Sequence, residues 1–184
     1  MQVLFSDETY VDVGEVRGQF VYRGRGQTIT SHHTQSHRAF RQRVLFWGCF
    51  SARGPGPLIR IVGTMKTQNY VETLSEHMLP HLQECFPDGS GIFMQDNAPC
   101  HKSNVTMGYL QEHNINVIDW PPYSPDLNPI ENLWAALKRK IQRVSRQTVT
   151  AVEQITMENW NNNMQTTCQE LVASMPRRIA ESVV

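Results

Sequence analysis

The sequence predicts an α/β domain with a mixed central β-sheet flanked by α-helices. Three observations lead there: three β-rich runs precede any helical pattern, a continuous apolar run lies between two helical stretches, and one further β-rich run is followed by helical sequence to the end. At 184 residues the chain should bury roughly 70% of its unfolded surface, so its core needs neither disulfide nor metal to hold it.

The first run, Val3-Leu4-Phe5, reads as a buried strand ending at Ser6-Asp7-Glu8 and delivering a carboxylate at its C-terminal end. Residues 10–43 are weakly patterned and punctuated by Gly14, Gly18, Gly24 and Gly26; they read as an irregular functional loop with a short hairpin at Phe20-Val21-Tyr22. Residues 44–51 and 58–62 are β-rich and joined by Ala52-Arg53-Gly54-Pro55-Gly56-Pro57, a hairpin signal. From Thr67, apolar residues Tyr70, Val71, Leu74, Met78, Leu79 and Leu82 recur at helical spacing, with a kink predicted at Pro80. Residues 91–96 then form the kind of continuous apolar run found in central parallel strands, capped by Asp96. A helix at about 103–113, a strand at 115–120 and a turn at 121–125 follow. Asn128-Pro129 opens another helix, with a cap residue followed by proline at the first helical position. Ile130, Trp134, Leu137, Ile141 and Val144 share one stripe, Glu131 sits beside it, and Lys138 shares the face of Glu131. Helices at 149–165 and 168–182, the second interrupted by Pro176, close the chain.

Composition bounds the function. The mean hydropathy of −0.43 is that of an ordinary soluble protein, and no apolar run approaches the roughly 18 residues of a membrane span. The start, MQVLFSDETY, has no basic region of the kind that opens an export signal. Cys49, Cys85, Cys100 and Cys168 include no CxxC pair, which argues against a zinc ribbon or a disulfide framework and for a reducing compartment. Seventeen basic and seventeen acidic residues cancel, yet residues 16–71 hold nine cations and no acid. Arginines interleaved with Phe20, Tyr22 and Phe40 suit a phosphate backbone; a solvated basic face is the plainer alternative. His32, His33 and His37 have no Cys or carboxylate nearby to complete a metal site.

Asp7 and Asp96 each close a predicted strand, and Glu131 stands in the first turn of a helix expected to cross that sheet. Singly, each is explained by turn formation or by the helix dipole. Together they form a carboxylate cluster of the kind that holds hard divalent cations, and a pair of such ions suits the cleavage of a phosphodiester. Glu8, Asp119 and Asp126 are rival acids.

Four segments resemble the catalytic domain of mariner-like DDE transposases, of the Tc/mariner superfamily. They are Phe5-Ser6-Asp7-Glu8; Phe46-Trp47-Gly48-Cys49-Phe50-Ser51 with Gly56-Pro57-Leu58; Met94-Gln95-Asp96-Asn97-Ala98-Pro99-Cys100-His101; and Ser124-Pro125-Asp126-Leu127-Asn128-Pro129-Ile130-Glu131-Asn132-Leu133-Trp134. Asp96 and Glu131 are separated by 34 residues, as in the Tc-type branch. The resemblance runs from about residue 2 to 181 and is weakest in 10–43.

It implies a ribonuclease H-like fold and a metal-binding catalytic triad of Asp7, Asp96 and Glu131, holding two Mg2+ or Mn2+ ions. Asn97 and His101 become close neighbours of the site, His101 either touching DNA or supporting the metal site, or serving only as a helix cap. Arg23, Arg25, Arg38, Arg41, Arg43 and Lys138 become the expected DNA contacts. The implied activity is metal-dependent cleavage and strand transfer at transposon ends, that is, DNA transposition and integration, on double-stranded DNA, by a homodimer, in the nucleus. The expected organisation is a single domain over residues 1–184 with a basic inserted loop at about 10–43, lacking the family's N-terminal helix-turn-helix modules. The segment from His32 to Arg43 also lacks the glycine cluster that often precedes the family's Trp-Gly motif. Two alternatives stay open: a non-catalytic DNA-binding or dimerising remnant, and a ribonuclease H-type nuclease acting on RNA–DNA hybrids.

Overall fold

The strand that begins at Val3 does not stop at Asp7. In the computed structural model, which describes residues 2–14, 42–121, 127–142, 144 and 147–182, β1 spans Val3–Asp12. Its polar second half is held by antiparallel pairing with β2 (Arg43–Ser51), from Phe5↔Phe50 to Asp12↔Arg43. Asp7 therefore stands inside a strand rather than at its end. The predicted loop at 10–43 likewise loses residues 10–12 and 43 to the sheet, and residues 15–41 lie outside the described residues.

A two-residue turn at Ala52-Arg53 leads into β3 (Gly54–Ile61), in the register Ser51↔Gly54. The predicted six-residue connection is thus mostly strand. Pro55 and Pro57 are tolerated because β3 lies at the edge of the sheet, where a missing N–H breaks no ladder. Gly54, at φ 127°, adopts a conformation that side chains rarely allow.

Helices α1 (Thr67–Thr73) and α2 (Leu79–Cys85) are joined by a π-helical turn, Leu74–Met78. The kink predicted at Pro80 takes this form, since proline cannot donate to the preceding turn. After β4 (Ile92–Met94) and α3 (Asn104–Glu112), β5 is only Asn116–Val117. The strand predicted for 115–120 gains one more bond, from Ile118 N–H to the Phe93 carbonyl at 3.0 Å, before the chain reaches Pro121, which has no N–H to give. Helices α4 (Pro129–Ile141), α5 (Val149–Asn163) and α6 (Gln165–Ser182) follow, and α6 runs through Pro176 without ending.

Among the described residues the strands form one sheet in the order β3-β2-β1-β4-β5, with β1 antiparallel to β2 and parallel to β4. The pleat sends alternate side chains of β1 and β2 to opposite faces. Val3, Phe5, Phe46, Phe50 and Met94 pack beneath Ile130, Leu133, Trp134 and Leu137 of α4 and Trp160 of α5. Leu4, Leu45, Trp47 and Phe93 pack on the other side against Tyr70, Leu74, Met78, Leu82 and Leu110. The stripe predicted on α4 is buried at Ile130, Trp134, Leu137 and Ile141, but Val144 lies past the helix and is 46% exposed. All four cysteines are free, and no helix among the described residues is long and apolar enough to cross a membrane.

Candidate active site

The parallel pairing of β1 with β4 brings Phe5 opposite Met94. Two residues further along each chain stand Asp7 and Asp96, so the register directs both acids to the same end of the sheet. β4 has ended at Met94, which leaves Asp96 free of the ladder and its side chain 45% exposed. Ser6 fastens this end of the sheet, its hydroxyl donating to the Met94 carbonyl at 2.9 Å.

Asp7 and Glu8 point to opposite faces. On the α4 side, the Trp134 indole N–H donates to Asp7 Oδ2 at 3.3 Å. On the other side, Glu8 Oε1 lies 3.2 Å from His101 Nε2. His101 Nδ1 lies 2.5 Å from Asp96 Oδ1, which also accepts from the Ala98 N–H at 2.9 Å. With a carboxylate at each ring nitrogen, both nitrogens donate and the ring is an imidazolium. Burial draws the His101 pKa down, but its bonds to Asp96 and Glu8 and their charges prevail and push it up to about 10. The same bond holds Asp96 below the ordinary carboxylate range, against partial burial.

His101 is 2% exposed and its ring lies against that of Tyr70, centroids 4.0 Å apart and planes tilted by 30°. The Tyr70 hydroxyl donates to Gln95 Oε1 at 2.7 Å, and the Gln95 amide donates back to the His101 carbonyl at 3.3 Å. His101 is therefore no helix cap; Ser103 caps α3 by accepting from the Thr106 N–H.

Asp7 shifts the opposite way from Asp96. Burial first, then the charges of Glu8, Glu131 and Asp96, push it up to about 8. Glu131 contributes from the first turn of α4, where Asn128 caps the helix by accepting from the Ile130 N–H at 3.3 Å. Among the described residues, no three His, Cys, Asp or Glu side chains converge tightly enough to hold a metal ion as they stand. The donor chemistry nonetheless fits a hard divalent cation: the acids are oxygen ligands, and the repulsion that burdens Asp7 is what such a cation relieves.

The other predicted residues are dispersed. Asn97 donates to the Trp120 carbonyl at 3.0 Å and so ties the chain after β4 to the chain after β5. Arg43 sits over the Tyr10 ring, 4.5 Å from its centroid. It pairs with Asp12, five residues along β1 from Asp7, or about 17 Å at strand rise. Lys138 is two helical turns from Glu131, about 10 Å away. Arg23, Arg25, Arg38 and Arg41 lie outside the described residues, as does Asp126; Asp119 is exposed beyond β5. Sequence reasoning missed Tyr70, Gln95 and the polar role of Trp134. For Trp134 a signal existed: it follows Glu131 by three residues, hence lies on the neighbouring turn of one helix.

A family model described as DDE superfamily endonuclease matches residues 2–156. The transposable element Tcb1 transposase of Caenorhabditis briggsae is 38% identical over 135 residues, covering 73% of this chain and 49% of that protein. The Tc1 transposase of Caenorhabditis elegans is 34% identical over the same length and shares. The chain thus spans about half the length of these curated relatives. Among solved structures, the Mos1 transposase paired-end complex with the left transposon end, and the Mos1 mariner paired-end complexes with Mn and with Mg, each superpose with a TM-score of 0.81 at 21% identity, covering 96% of this chain and 53% of the matched one. The fold is the ribonuclease H-like fold that the sequence implied, and with more than two thirds of its length matched, the chain belongs to the DDE superfamily endonuclease family.

Proposed function

We propose that this chain is the catalytic domain of a cut-and-paste DNA transposase, with Asp7, Asp96 and Glu131 holding two Mg2+ or Mn2+ ions. The observation that carries this reading is the parallel register Phe5↔Met94, which supports Asp7 and Asp96 as neighbours at one end of the sheet; the charges of Glu131 and Asp96 both act on Asp7. What divalent cations supply at such a site is activation of water or a 3′-hydroxyl and neutralisation of charge at the leaving oxygen. The chain's own residues prepare the ligands. His101 keeps Asp96 ionised and fixes its Oδ1, leaving Oδ2 for a cation; Trp134 orients Asp7. The Mos1 complexes hold paired transposon ends, which supports element ends and target DNA as substrates and a dimer as the working form. A transposase of a nuclear genome would act in the nucleus. The basic segment at 16–43, with Arg43 and Lys138, is the proposed path of the DNA backbone.

The test is metal-dependent nicking of duplex DNA by the wild type, Asp96→Asn and Glu131→Gln, with folding checked by thermal melts. We expect each variant to stay folded at the assay temperature and lose at least a hundredfold in rate, Asp96→Asn melting lower because it gives up the charge that faces His101; nicking at the wild-type rate would remove that acid from the mechanism. Competition by an RNA–DNA hybrid distinguishes a ribonuclease H-type nuclease. The second reading is a non-catalytic remnant that keeps the fold and binds no divalent ion. Calorimetric titration of Mg2+ and Mn2+, with and without DNA, decides it, since silence in both settings is what a remnant would give.

A further inference from the structure

Trp134 occupies a place that hydrophobic packing alone does not explain. It is 2% exposed and stacks on Trp160 with centroids 4.9 Å apart. The Trp160 N–H in turn donates to the Gly56 carbonyl on β3 at 2.7 Å. The edge of the Trp134 ring lies on Gly48, the residue of β2 that pairs with Asp7. A methyl at Gly48 would stand 2.7 Å from Trp134 Cη2, closer than real contacts allow, and 3.0 Å from Leu58 Cδ1, a tight contact to which that side chain would have to yield. Glycine here opens the space that lets the indole reach the sheet. From that seat the indole N–H meets Asp7 Oδ2, while the same residue sits one turn from Glu131 on α4.

We propose that Trp134 is a positioning residue for two of the carboxylates at once: its N–H orients Asp7, and its ring, seated over Gly48, fixes where α4 and with it Glu131 stand on the sheet. The inference rests on the reading of these acids as metal ligands, and it assigns to Trp134 and Gly48 the geometry between them. A buried indole N–H needs an acceptor wherever it lies; that of Trp160 takes a backbone carbonyl, whereas that of Trp134 takes a carboxylate of the candidate site, Asp7.

The first experiment needs no metal. In protein labelled with 15N at the indole nitrogens, the Trp134 signal is identified by its loss in Trp134→Phe. Asp7→Ala should move that signal and speed its exchange with solvent at least tenfold; an unmoved signal with unchanged exchange would overturn the bond to Asp7. The second measures Mn2+ affinity by electron paramagnetic resonance in three variants. Trp134→Phe removes the N–H and part of the ring. Replacement of Trp134 by 3-benzothienylalanine keeps the ring shape and removes only the N–H. Gly48→Ala closes the space beneath the ring. We expect each to weaken Mn2+ binding about tenfold, the benzothienyl variant at an unchanged melting temperature. Wild-type affinity in the benzothienyl variant would reduce the role of Trp134 to packing. If the wild type binds no Mn2+ even with DNA, the functional reading fails, and the exchange experiment alone still decides whether Trp134 holds Asp7.

Discussion

His101 gives both ring nitrogens to carboxylates from a position 2% exposed, and this makes stability depend on pH in a defined direction. Its folded pKa, about 10, lies above the ordinary 6.5. The stability it contributes is therefore complete below about pH 6.5 and lost as pH rises toward 10. Asp7, an acid pushed up to about 8, also costs stability with rising pH, between about 4 and 8, because the folded state prefers it protonated. Urea unfolding with a chelator present should show stability falling from about pH 7 to 10, and His101→Gln should flatten the fall above about pH 8. An equally steep fall in the variant would free His101 of that role. A second residue carries an opposite expectation. The Tyr109 hydroxyl is buried without a partner among the described residues, so Tyr109→Phe should leave stability unchanged or raise it by up to about 1 kcal/mol; a measurable loss would reveal a partner. At this scale the sequence singled out Asp7, Asp96 and Glu131 as candidates by residue type and position. The environments of those acids were hidden, because Tyr70, Gln95 and Trp134 reach them only through tertiary contacts.

Elements were legible where their ends are set by local chemistry. Asn128-Pro129 announced α4, and Ser103 and Thr148 cap α3 and α5 through their own side chains. A cap acts within three residues, so the sequence contains all of it. Strand ends were read less well, because they depend on a partner elsewhere. β1 was placed five residues short since Arg43–Ser51, which holds its second half, is some thirty residues away in sequence. β5 was placed too long because nothing local says where its pairing stops. The cap on α4 makes a prediction at this scale. Asn128→Ala should cost about 1 kcal/mol in urea unfolding and, because Glu131 lies in the turn it caps, weaken divalent-ion binding as well. Loss of stability with intact ion binding would separate the cap from the site.

At the scale of the molecule, the sequence conveyed the order of elements and the mixed sheet. It did not convey that the acids sit where two helical layers meet across the sheet, since that follows from which face each side chain takes. The charge distribution, nine cations within residues 16–71 and an acidic remainder, predicts DNA binding dominated by phosphate contacts. Affinity for unrelated duplexes of equal length should be similar and fall linearly with the logarithm of salt, by about 0.9 per phosphate contact; strong preference for one sequence would require base contacts instead. β1 is the partition between the two layers, with Asp7 on one side and Glu8 on the other. Exchanging the two acids would leave composition, charge and chain length untouched. Each layer would still receive a carboxylate, but one a methylene too long facing Trp134 and one a methylene too short facing His101. The odd or even position of an acid along a single strand thus carries information that no count of residues contains.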